Sequence, residues 1–86
     1  MDINELIAIT KKKLQENLKI TSIQIEDKSY LHKNHAGNQK GKFHLKISLR
    51  SSDLKKMTRI QRSKKIHKIL EHEIKEFIHS IQILIS

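Results

Sequence analysis

Residues 43 to 50 confine this chain more tightly than any other stretch: Phe43, Leu45, Ile47 and Leu49 alternate strictly with His44, Lys46, Ser48 and Arg50. A period of two is that of a β-strand with one apolar and one wet face, so a covering layer must pack on the apolar side. Residues 22 to 26 show the same alternation more briefly, with Ile23 and Ile25 on one face, and Ile81, Ile83 and Ile85 repeat it near the end of the sequence. The covering layer comes from helical spacing. Ile3, Leu6, Ile7, Leu14 and Leu18 recur as in an amphipathic helix over about 3–18, with Lys11, Lys12 and Lys13 largely toward solvent.

Ser51, Ser52 and Asp53 supply capping side chains for a helical region that runs to about Phe77, read as a short helix followed by a longer one. Ile66, Leu70, Ile74 and Phe77 share its apolar stripe. Arg59, Arg62 and Ser63 disturb that stripe, which predicts a break or an exposed first turn there. Between the first two strands, residues 27–42 are polar and include Gly37 and Gly41, a long loop of the kind that often carries function. The order α-β-β-α-β predicts an α+β domain over 1–86. Its three-stranded mixed sheet has an antiparallel hairpin, a last strand returned in parallel by a helical crossover, and helices on one side.

Composition narrows the chemistry. A chain of 86 residues buries about 60% of its unfolded surface, enough for one core without a closed cleft. There is no cysteine, which removes disulfides, thiolate metal sites and thiol nucleophiles and favours a reducing, cytoplasmic setting. The apolar start at 3–9 is short and interrupted by Asn4 and Glu5, so neither a signal peptide nor a membrane span is expected. Eighteen basic residues against nine acidic ones set a net charge of +9, a field that draws nucleic acid, anionic lipid or an acidic protein. The densest part of that field is Lys55, Lys56, Arg59, Arg62, Lys64, Lys65 and Lys68, a run without an acid between 55 and 68. It reads as a solvated helix face or as a phosphate-contacting surface of low sequence preference, since neither a Gly-x-x-Gly loop nor a set of stacking aromatics accompanies it.

An enzyme is not expected. Ser51, Ser52 and Asp53 read as caps; Glu71 and Glu73 lie two apart on a helix, point in different directions and cannot act as a facing acid-base pair, while Glu71 and Glu76 form ordinary helix-surface charge pairs with Lys75. The histidines are the remaining chemistry. His32 and His35 lie in the polar loop, His44 opens the second strand on its wet face, and His79 stands at a helix-to-strand junction. From residue type alone a loop histidine is most often solvated, and His79 serves equally as a cation near a helix carboxyl end. His67 and His72 are five apart, which does not bring them to one helix face.

Several of these stretches together resemble the BolA-like family: Lys13-Leu14 in the first helix, Asp27-Lys28-Ser29-Tyr30-Leu31-His32, Ala36-Gly37, His44-Leu45-Lys46, and His79 followed by a short apolar strand. Two stretches depart from the family pattern, Arg62-Ser63-Lys64 in place of Arg-His-Arg and Leu54-Lys55-Lys56 in place of Phe-x-Gly. The resemblance implies a class II KH-like topology. It also implies an adaptor that binds a monothiol glutaredoxin and shares a two-iron two-sulfur cluster with it and with glutathione, in iron-sulfur assembly, transfer or iron sensing. The implied ligands from this chain are His32 and His79, with His35 and His44 ranked below His32. Imidazole in place of thiolate raises a cluster's potential and makes it acid-labile. The chain alone is expected to be a monomer or weak homodimer without a tightly bound cluster. The alternative is a DNA-binding transcriptional regulator using residues 55–68.

Overall fold

A computed structural model describes residues 1–29 and 42–86. Helix α1 (Ile3–Asn17) precedes strands β1 (Ser22–Asp27) and β2 (Phe43–Arg50), then three helical segments, α2 (Ser52–Lys55), α3 (Arg59–Ile69) and α4 (Glu71–Glu76), and finally β3 (Ile78–Ile85). β2 is central, antiparallel to β1 and parallel to β3. The mixed α+β sheet therefore has the expected topology. The helical crossover has three parts rather than two, because the long helix bends at Leu70 (φ −100°, ψ 18°). The final strand also begins three residues earlier than the isoleucine alternation suggests.

Three of the four helical segments start at a side-chain cap, and α4 continues from the bend at Leu70 without one. The Asp2 carboxylate accepts from the Glu5 amide at 2.8 Å and caps α1. The Ser51 hydroxyl accepts from the Leu54 amide and caps α2. Thr58 and Gln61 cap α3 reciprocally: the Thr58 hydroxyl accepts from the Gln61 amide at 3.1 Å, and the Gln61 side-chain oxygen accepts from the Thr58 amide at 3.0 Å. Such a capping box satisfies two amides that a helix leaves without carbonyl partners. It also fixes the break between α2 and α3.

The apolar faces of β2 and β3 meet the helices. Leu14, Leu18, Ile47, Leu49, Leu54, Ile66 and Leu70 form the main core, and Leu6, Leu45 and Ile78 form a second cluster against Phe43 and Phe77. Each fully buried leucine or isoleucine contributes about 1.5–3 kcal/mol. On α1 the buried line is Leu6, Thr10 and Leu14, so a threonine occupies a position in the apolar stripe. Lys13 departs from the expected solvated lysine trio. It reaches across to Glu73, which is buried in α4. The opposite face of the sheet, with Gln24, Glu26, Lys46, Ser48 and Gln82, is polar.

Candidate metal-ligand site

The parallel pairing of β2 with β3 slips once. Phe43 pairs with Ile78 but His44 pairs with Ser80, so one extra residue, His79, is accommodated on β3. A bulge of this kind re-aims a side chain and is favoured near functional sites. Here it brings the His79 ring to 4.9 Å, centroid to centroid, from the His44 ring, at an interplanar angle of 54°. His79 is exposed, whereas His44 is 5% exposed.

The burial of His44 corrects the expectation of a wet strand position. Alternation does turn His44 toward the polar face of the sheet, but that end of the face is closed over. The His44 amide donates to the Ser29 hydroxyl at 3.0 Å, and the His44 carbonyl accepts from the Lys28 amide at 2.7 Å. The Nδ1 atom lies 2.6 Å from the Ser80 hydroxyl. A histidine held in this way has its ring orientation fixed, the condition that metal-ligating imidazoles normally need. Asp27 supports the same corner by accepting from the Ser29 amide at 2.9 Å. A hollow of about 440 Å³ opens beside these groups, lined by Lys28, His44, Lys46, Ser80 and Gln82 among others.

His32 and His35 lie outside the described residues. Among the described residues no group of three or more His, Asp or Glu side chains converges as a metal site; His44 and His79 are two imidazoles side by side. His67 and His72 stay apart from it. His67 Nδ1 is bonded to the Ser63 carbonyl at 2.7 Å, and His72 meets the edge of Phe77 at 6.0 Å.

The structure divides the basic run. Lys64, Lys65 and Lys68 line a hollow beside Asn17 of α1, while Arg59 and Arg62 line another beside β3. Lys55 and Lys56 are exposed at the end of α2. Arg62 is tethered, its Nε and Nη2 donating to the Met57 carbonyl at 3.3 and 3.2 Å. Thr58-x-x-Gln61 is a capping signal written in the sequence itself, whereas the role of Ser80 arises only from the bulge.

The family model for BolA-like proteins matches residues 14–86. The chain belongs to the BolA-like family. Its curated relatives include the DNA-binding transcriptional regulator BolA of Haemophilus influenzae, 28% identical over 81 residues that span 94% of this chain and 73% of the relative. The BolA domain of SufE1 from Arabidopsis thaliana superposes with a TM-score of 0.77 at 24% identity, over 92% of this chain and 87% of that one. Mouse BolA1 gives 0.74 at 23% identity, over 92% and 62%. These BolA structures share the three-stranded sheet and helices of this BolA-like chain.

Proposed function

We propose that this BolA-like protein is a non-enzymatic adaptor that binds a monothiol glutaredoxin and, with that partner and glutathione, holds a two-iron two-sulfur cluster. The observation that supports the reading is the bulge at His79, which sets an exposed imidazole 4.9 Å from a second, anchored one. The donor set fits the group. A chain without cysteine brings neutral nitrogen ligands, so the thiolates come from the partner and glutathione. His79 is one donor from this chain, and His32 is the other, with His35 or His44 as the alternatives; the Ser80 hydroxyl, 2.6 Å from His44 Nδ1, would orient the His44 ring. When bound, such a cluster supplies one-electron chemistry at a potential raised by imidazole ligation. Of the described histidines, His44 is anchored by Ser80 and the strand pairing, and the bulge presents His79 at an accessible edge.

The test is to mix the full chain with a monothiol glutaredoxin, glutathione, iron and sulfide, isolate the complex and record its visible and circular-dichroism spectra. A spectrum distinct from that of the glutaredoxin homodimer, in a one-to-one complex, is expected. A mixture that gives only the homodimer spectrum overturns the proposal.

A second reading is that of a DNA-binding regulator. Two features favour it: α2 and α3 are joined by the short segment 56–58, and α3 presents Lys64, Lys65 and Lys68 to solvent. The Haemophilus relative bears that name. Tight binding to one defined duplex at physiological salt, with little affinity for scrambled sequence, would put this reading first.

A further inference from the structure

We propose that the groove between α3 and the outer edge of β3 takes an extended acidic peptide segment of a partner protein, added to the sheet as a fourth strand. This inference is independent of the cluster reading, because His44 and His79 do not line the groove.

The first support is the edge itself. In the order β1-β2-β3, β3 pairs with β2 on one side, and no described strand covers the other. An uncovered edge presents unpaired amides and carbonyls, and proteins usually blunt it with charge or proline. The β1 edge is guarded in this way by Glu26 and Asp27, followed by Lys28. The eight residues of β3, Ile78–Ile85, contain no Lys, Arg, Asp, Glu or Pro, and Leu84 remains 45% exposed. Main-chain pairing with an added strand is a standard mode of peptide capture at such an edge.

The second support is the wall beside it. A groove of about 500 Å³ runs along β3, lined on the helix side by Arg59, Arg62, Ser63 and His67 and on the strand side by residues 81–85. None of its described lining residues is acidic. The Met57 carbonyl orients the Arg62 guanidinium without neutralising it. The side chains of an added strand alternate between faces. Those on the helix side meet Arg59 and Arg62 and call for Asp or Glu, and those on the other side stand beside Leu84 and call for an apolar residue.

Charge also selects among occupants. A second copy would bring another chain of net charge +9 against the same arginines. Single-stranded nucleic acid would find no aromatic among the described lining residues on which to stack its bases.

The test uses the full chain and a fluorescein-labelled, capped octapeptide alternating glutamate and valine, read by anisotropy at low salt. Binding is expected, with new hydrogen-exchange protection of β3 amides. It should weaken about tenfold when alternate peptide nitrogens are methylated, the equivalent of about 1.4 kcal/mol of main-chain pairing. Arg59→Gln, at an exposed position, should weaken it several-fold while leaving far-ultraviolet circular dichroism unchanged. Equal binding by the methylated peptide, equal binding by its lysine–valine counterpart, or displacement by an oligothymidylate of the same length that binds more tightly would each overturn the proposal. So would a dimer of the free chain with its β3 amides already protected, since the edge would then belong to a second copy.

Discussion

Lys13 in α1 donates to both carboxylate oxygens of Glu73 in α4, at 2.8 and 2.7 Å, tying the first helix to the last across 60 residues of sequence. The Glu73 side chain is 3% exposed and that of Lys13 is 37% exposed, so the carboxylate depends on the lysine while the lysine retains access to water. Removing one partner of a buried pair costs about 3–5 kcal/mol, and exposure of the lysine reduces that figure. Lys13→Ala should therefore destabilise the fold by about 2–3 kcal/mol in urea unfolding, whereas Lys13→Met combined with Glu73→Leu should lie within about 1 kcal/mol of the parent. A Lys13→Ala protein as stable as the parent would show that the pair contributes nothing.

Thr10 is fully buried on the same helix, and its hydroxyl has no hydrogen-bond partner among the described residues. A buried unsatisfied hydroxyl costs about 1–3 kcal/mol. Thr10→Val keeps the shape and removes the polar atom, so it should stabilise the protein by about 1 kcal/mol, seen as a rise of about 4–8 °C in Tm. A lowered Tm would mean that the hydroxyl has a partner in solution.

The two paired histidines should behave differently when removed. His79 is exposed, so His79→Ala should change stability by less than about 0.5 kcal/mol and abolish the mixed spectrum with glutaredoxin. His44 is buried and bonded to Ser80, so His44→Ala should cost about 1–3 kcal/mol even without a partner. His32→Cys should keep a cluster but shift its spectrum and reduce its acid lability, because thiolate returns charge to iron. An unchanged spectrum there would pass the ligand role to His44 or His35.

The capping box of α3 predicts a local loss. Thr58→Ala removes the acceptor for the Gln61 amide and should destabilise the protein by about 1 kcal/mol. Hydrogen exchange should speed up most at the first turn of α3. Equal exchange rates across the helix would count against the cap.

The phosphate-binding reading has its own signature. Lys64, Lys65 and Lys68 are exposed and lie outside the apolar core, so changing all three to glutamine should leave the fold intact. If these lysines neutralise DNA phosphates, the slope of log affinity against log salt should flatten by about 0.9 for each phosphate that is no longer neutralised. A slope that does not change places any DNA-binding surface elsewhere.

The strands and the first helix were legible in the sequence because each is written in a local period that needs no neighbour to be read: Phe43, Leu45, Ile47 and Leu49 for β2, Leu6, Leu14 and Leu18 for α1. The end of α2 and start of α3 were legible in principle as well, since Thr58 and Gln61 stand three apart as a capping box requires. What sequence alone could not determine depends on pairing between distant segments. Glu73 lies on a short helix whose charges look solvated until Lys13 is brought against it from 60 residues away. Likewise His44, alternating with core residues, belongs by period to a wet face. In the assembled sheet it is buried, and the parallel pairing of β3 with one extra residue at His79 sets Ser80 against its ring from 36 positions away. The slip shifts the apolar period of β3 by one residue, between Ile78 and Ile81, but only the assembled sheet shows that Ile78 belongs to the same strand. Only the assembled sheet decides which histidine meets which.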